Sequence, residues 1–402
     1  MSEGLETSLK DGSELVWLAF GQNSKKWIGA DKLLRTYGPT SLCKELRISL
    51  DGYRDRDTVL ATDADFFRAF VDSIECLSFL KRISFILSPL SSQNRTAYQL
   101  RPIVDLLVKL ESRLEGLTMS GNFRCSERDY NAFLGAMGNF QCLLQLNLYH
   151  ACFFVENNNN NNNNRFRLMS HDTVVPSISQ LKKLEELHLY VIAPSSMDLA
   201  IKGMKLSSIS LTLFPLNASP SDKKTATSLL AAALMKNTTL ENLSINLPQL
   251  CDFDPFLVAA ANSLGQNNRS TTLKRLHLHN NPRDWSSDCV DINGALKALT
   301  KALKTNVILQ NLGFSVVGGC ATRRLAWQKV RMFLYMNRHG RREVEGRCAA
   351  SVSVAKWMDT LAAVSESVDC LFYYLLKNPT LVLHGVTSPG TDRGCKRKRQ
   401  ND

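Results

Sequence analysis

One phrase recurs nine times along this chain and limits what the chain can fold into. It is L-x-x-L-x-L, with other apolar residues tolerated at the Leu places. It stands at Cys43/Leu46/Ile48, Leu80/Ile83/Phe85, Leu114/Leu117/Met119 and Leu143/Leu146/Leu148. It continues at Leu184/Leu187/Leu189, Leu206/Ile209/Leu211, Leu240/Leu243/Ile245, Leu273/Leu276/Leu278 and Leu309/Leu312/Phe314. The starts lie 37, 34, 29, 41, 22, 34, 33 and 36 residues apart. In two copies an Asn follows at the next place, Asn122 and Asn281, where its amide can bond turn backbone groups.

Helical periodicity fills the gaps. Apolar residues recur every three or four positions over 65–77, 100–110, 127–137, 225–236, 255–264 and 292–304. An Asn closes several of these stretches, at Asn237, Asn267 and Asn306. Each unit therefore reads helix, Asn turn, short strand. One such unit cannot bury its apolar side alone, but stacked units share a continuous core. The predicted fold is an α/β solenoid, a horseshoe with parallel strands on the concave face and helices on the convex face. The repeats occupy 41–320. Residues 1–40 lack the phrase and are expected to cap the first strand through Leu15–Phe20 and 27–34. Residues 321–386 read as a basic helical C-terminal cap, and 387–402 as a disordered basic tail. Eight consecutive Asn at 157–164 form a disordered surface insert, and removing them brings the 41-residue spacing near its neighbours.

The segments Leu240-Glu241-Asn242-Leu243-Ser244-Ile245 and Leu273-Lys274-Arg275-Leu276-His277-Leu278-His279-Asn280-Asn281 resemble leucine-rich repeats of the ribonuclease-inhibitor-like kind. The end of the chain resembles a group of such proteins from unicellular algae. The residues that carry this are Phe333-Leu334-Tyr335-Met336-Asn337-Arg338-His339-Gly340-Arg341, then Trp357, then Asp369-Cys370-Leu371-Phe372-Tyr373-Tyr374. The resemblance implies a fold and brings no catalytic residues.

In L-x-x-L-x-L the residues beside the last two Leu point away from the core. The middle row they form runs Arg47, Ser84, Thr118, Asn147, His188, Ser210, Ser244, His277, Gly313. With the rows on either side it holds three Arg, two Glu and no Lys. A nucleic-acid groove neutralises several phosphates with Lys and Arg, so this face suits a protein partner better. The candidate contact residues are Asn147, Tyr149, Glu186, His188 and Tyr190 on neighbouring strands, with His277 and His279 further along. Tyr supplies rigid contact area and a hydroxyl.

No P-loop, nucleophile elbow or zinc motif stands in a fitting context, so neither an enzyme nor a cofactor is expected. His277 and His279 have no acidic or Cys companion in their rows. The eleven cysteines show no metal spacing and read as reduced core residues. No apolar run approaches the roughly 18 residues that span a bilayer, and the first residues lack a signal region. The expected setting is cytoplasmic or nuclear.

The formal charge of +12 is concentrated late: the last 82 residues hold 15 Lys and Arg against 7 Asp and Glu. Arg323, Arg324, Arg331, Arg338, Arg341 and Arg342 form a candidate basic patch for an acidic partner or RNA. A nucleic-acid-associated adaptor is thus the alternative reading. Lys396, Arg397, Lys398 and Arg399 match what a nuclear-import receptor's acidic groove accepts. A ubiquitin-ligase substrate adaptor is a further alternative, but 1–40 shows no convincing F-box pattern.

Overall fold

The computed structural model describes residues 2–20, 30–50, 64–87, 98–156, 166–213, 220–247, 253–266, 272–280, 293–313, 321–345 and 353–377. The chain is α/β. The described residues form twelve strands: β1 (Leu15–Phe20), β2 (Glu45–Leu50), β3 (Arg82–Leu87), β4 (Tyr98–Gln99), β5 (Gly116–Cys125) and β6 (Gln145–Glu156), then β7 (Phe166–Met169), β8 (Glu186–Ile192), β9 (Ser208–Leu213), β10 (Asn242–Leu247), β11 (Arg275–Asn280) and β12 (Asn311–Gly313). They form one sheet in the order β1-β2-β3-β5-β6-β8-β9-β10-β11-β12, with β4 beside β5 and β7 beside β6. Among the described residues every pairing is parallel except that of β6 with β7.

All nine repeats of the apolar phrase supply a strand. Each of their apolar residues is buried, apart from Phe314, which lies outside the described residues. Burying one Leu or Ile contributes about 1.5–3 kcal/mol, so the stacked rows are the main source of stability. The rungs are joined in one repeated way. The amides of Lys44 and Glu45 both donate to the Glu14 carbonyl, at 2.8 and 2.9 Å. Lys81 and Arg82 do the same to Lys44, and the pattern continues to Gln310 and Asn311 on Lys274.

Leu15–Phe20 covers the first predicted strand by pairing with it as a further rung, Val16 opposite Leu46 and Leu18 opposite Ile48. Residues 2–20 thus repeat the helix–turn–strand order. Helix α1 (Ser2–Lys10) buries Leu5 and Leu9, and Gly12 turns the chain at φ 72°. The phrase was hidden because Ser13 stands where its first apolar residue would be.

The helices follow in sequence as a second layer, each packed on the next: α2 (Ala30–Tyr37), α3 (Ala64–Ser73), α4 (Arg101–Leu110), α5 (Glu127–Asn139), α6 (Val174–Ile178), α7 (Pro194–Gly203), α8 (Pro220–Lys236), α9 (Phe253–Gln266), α10 (Asn293–Leu303) and α11 (Ala321–Arg338). The helix-closing Asn residues act between units. Asn306 donates through Nδ2 to the Leu264 carbonyl at 3.3 Å, at the end of α9. Its Oδ1 accepts from the amides of Ile308 and Leu309 at 3.0 and 2.9 Å, the lead-in to β12. Asn237 bonds Ile201, Thr239 and Leu240 in the same way. Asn267 and Asn281 lie outside the described residues, and Asn122 sits inside β5 opposite Cys152 rather than in a turn.

The poly-Asn run lies outside the described residues. Its flanks meet as the antiparallel ladder of β6 with β7, from Phe153↔Met169 to Glu156↔Phe166. After α11 come α12 (Arg341–Glu345), α13 (Val354–Ala363) and α14 (Val368–Lys377). On α14 Cys370 and Tyr374 are buried, while the apolar Val368, Phe372 and Leu376 are exposed. Residues 378–402 lie outside the described residues.

Candidate interaction surface

The middle row of non-core residues is in unbroken register from the first rung to the last. Trp17 pairs with Arg47, then Ser84, Thr118, Asn147, His188, Ser210, Ser244, His277 and Gly313. Asn147 and His188 are therefore direct neighbours, and Glu186 lies opposite Gln145. Asn147, Glu186, His188, Tyr190 and His277 are all half-buried. Burial lowers the His188 pKa, and Glu186 two residues away partly offsets this.

The row after it is not continuous, which corrects the sequence expectation. Between Thr118 and Ser120 the β5 partner passes from Asn147 to His150, so β6 carries one extra residue beside Tyr149. Between Leu189 and Ile192 the β9 partner advances only from Leu211 to Leu213, so β8 carries one extra residue beside Tyr190. Both Tyr positions are β-bulges, and the pairing of β6 with β8 stops at Asn147 and His188. The side chains of Tyr149 and His279 lie outside the described residues.

A residue that the sequence reading missed fills this gap. His171 is buried, with Nε2 2.8 Å from the Ala151 carbonyl on β6. Its Nδ1 accepts from the Tyr190 amide on β8 at 3.0 Å. That pair of contacts requires the neutral ring with its proton on Nε2. Burial pushes its pKa down to about 4, with the Ala151 carbonyl and Asp172 acting against the shift. Ser170 caps the turn by accepting from the Asp172 amide, and Asp172 Oδ1 accepts from the Ala193 amide at 2.7 Å. The phrase Ser170-His171-Asp172 is a capping signal, but nothing in it names the two strands the ring joins. Opposite the β8 bulge, Thr212 faces away from the core yet is 5% exposed, and among the described residues its hydroxyl has no partner.

Two long side chains lean along the face. A Cβ on Gly313 would come within 2.7 Å of His277 Nδ1, so the His277 ring occupies the space a side chain would need. Arg82 lies over Gly116, with its Cγ 3.0 Å from where a Cβ would stand. At the first rung Leu15 and Trp17 are exposed, and Arg47 is held by Glu45 at 2.6 Å.

The candidate basic patch needs a correction. Arg331, Arg338 and Arg342 are exposed, but Arg341 is fully buried. Its Nη1 donates to the Leu303 carbonyl at 2.7 Å and its Nη2 to the Lys304 carbonyl at 2.8 Å. Its Nε pairs with Glu345 at 2.7 Å, and its guanidinium lies 4.8 Å from the centre of the Phe333 ring. The five-donor fork thus caps α10 and cannot reach a partner. Asn337 supports it, donating to the carbonyls of Asn306 and Leu309 at 3.0 and 2.7 Å. The side chains of Arg323 and Arg324, and the tail Lys396, Arg397, Lys398 and Arg399, lie outside the described residues.

Among the described residues no group of three His, Cys, Asp or Glu is placed to hold a metal ion. In the same set no helix is long and apolar enough to cross a membrane. Cys43 and Cys125 are buried thiols whose pKa values burial raises to about 11 and about 12, so they pack rather than react. No family model matches the sequence, and no curated protein matches it at a significant level.

Proposed function

We propose that the chain is a leucine-rich-repeat solenoid of the ribonuclease-inhibitor-like kind, acting as a non-catalytic scaffold that takes a protein partner on its open strand face. The contact region centres on Asn147, Glu186, His188 and Tyr190. The observation that carries this is the unbroken register of the middle row from Trp17 to Gly313, with the helices layered in sequence. Such a ladder sets polar and aromatic side chains at fixed spacing on a rigid sheet, which lowers the ordering cost of binding. The doubled bulge at Tyr149 and Tyr190 interrupts that regularity at the centre of the patch, where specificity is most easily built. Burial of Arg341 removes one charge from the C-terminal basic region, so the nucleic-acid reading gains no support from it.

The test is affinity capture with the full chain, followed by direct binding of the partner so identified. His188→Ala and Tyr190→Ala should each weaken binding by tenfold or more if they are central contacts, on the order of 1.4 kcal/mol or above. Lys329→Ala, far along the chain in α11, should leave it unchanged. Undiminished binding in both variants, with intact circular dichroism, would remove the strand face from the interaction. The basic tail supports a cytoplasmic or nuclear setting, with Lys396, Arg397, Lys398 and Arg399 engaging an import receptor. A fluorescent fusion lacking those four residues should then lose nuclear accumulation.

A further inference from the structure

Both end strands of the ladder, β1 and β12, are uncharged among the described residues, but only β1 is a full six residues long. β1 reads Leu-Val-Trp-Leu-Ala-Phe, and among the described residues it has a strand neighbour on one side only, β2. At the other end of the ladder, β12 is three residues long and α11 packs against it. On β1 the open face carries Leu15 at 48% and Trp17 at 67% exposure. Natural edge strands are usually blunted by charge, proline, a bulge or brevity. β1 has none of these: its register with β2 is regular over all six residues.

We propose that β1 is a docking strand for a second copy of this chain, paired antiparallel across a twofold axis normal to the sheet. The choice of a second copy rests on charge and register. A self-pairing strand sets its own residues against each other, and like charges there would oppose it. β1 has no charge to oppose. With Trp17 on the axis, Trp17 faces Trp17 of the second copy, Leu15 faces Ala19, and Val16 faces Leu18. Opposed residues in an antiparallel pair share a face, so the open faces of both copies stay on one side and both apolar cores run into each other. Glu14 then lies opposite Phe20 rather than another Glu14, and Glu14 is already paired with Lys44. Each copy contributes the same patch, which closes the assembly at two chains. The two Trp17 rings would bury their area against each other, as aromatic pairs on neighbouring strands do. The docking strand stands apart from the Asn147–Tyr190 region, so the proposal is independent of the scaffold reading.

The experiment uses the full chain in sedimentation velocity and in light scattering after gel filtration. The wild type is expected at twice the chain mass, falling toward one chain mass on dilution. Trp17→Glu places two carboxylates on the axis and is expected at one chain mass with a little-changed thermal melt, since the Trp17 side chain is 67% exposed. In Trp17→Cys the two opposed Cα atoms would lie about 4.5–5.5 Å apart, within the range a disulfide spans. Mild oxidation should then link two chains through that position, as read by peptide mapping, whereas Arg47→Cys, one strand further in, should not link. A wild type of one chain mass at every concentration overturns the proposal. So does a dimer that survives Trp17→Glu, or a cross-link that maps elsewhere.

Discussion

The Tyr190 amide donates to Nδ1 of His171 at 3.0 Å, so the ring of a turn residue completes a strand that has lost its own neighbour. β6 and β8 part after Asn147 and His188, leaving backbone groups on both sides. Buried backbone groups without partners cost about 1–3 kcal/mol each, and His171 satisfies one on each strand.

His171 ties stability to pH. Its folded pKa, lowered to about 4, lies below the ordinary value of 6.5. Between these values the unfolded chain binds the proton and the folded chain does not, so stability rises with pH across that window. The contribution is complete above pH 6.5 and is lost as pH falls toward 4, on the order of 3 kcal/mol in all. Urea melts of the wild type and of His171→Gln at pH 7, 6, 5 and 4 measure it. The wild type should lose more stability than the variant over that range, and parallel curves would refute the assignment.

Arg341→Ala should destabilise the chain by about 3–5 kcal/mol, because it strips the carbonyls of Leu303 and Lys304 at the end of α10 and leaves Glu345 without its cation. Arg341→Lys should recover little, since an ammonium cannot span the carbonyls of Leu303 and Lys304 and the Glu345 carboxylate together. Limited proteolysis should cut first within 321–377 in both variants. Arg342→Ala, at the exposed neighbouring position, should be within about 0.5 kcal/mol of wild type.

Gly313→Ala sets a methyl against the His277 ring and should cost roughly 1–2 kcal/mol. The same change made with His277→Ala should cost much less than the sum of the two. A double-mutant cycle from thermal melts reads that coupling, and strict additivity would show that the ring moves aside freely.

Asn306→Ala removes three hydrogen bonds that join α9, the turn and the lead-in to β12. Asn237→Ala removes the equivalent three further back. Each should cost about 1–3 kcal/mol, because buried groups lose their partners. Denaturant melts should find the two losses similar in size, the two sites being equivalent in chemistry.

The strands were legible because their spacing repeats. Leu240/Leu243/Ile245 and Leu273/Leu276/Leu278 bury in identical fashion, and helix-closing Asn237 and Asn306 announce the turns between units. The first rung was not, because Ser13 breaks the phrase that Val16 and Leu18 complete. The bulges at Tyr149 and Tyr190 leave no mark in periodicity: an inserted residue in a strand looks like any other residue. His171 was invisible for a related reason, since its two partners lie 20 and 19 residues away on different strands. Arg341 was misread because a charge in a basic run looks solvated, and only the end of α10 shows what it holds. The candidate patch was legible as a set of neighbours in Asn147, Glu186 and His188, but not as an edge where pairing stops.

The carbonyls of Glu14, Lys44, Lys81 and their successors each receive two amides from the rung that follows. This fastening links only adjacent rungs, so a tether drawn away from one terminus would meet resistance locally. The molecule should therefore yield in a series of small peeling events from its ends rather than in a single rupture. A stack fastened in this way should give way at one extremity under strain while its middle rungs stay joined.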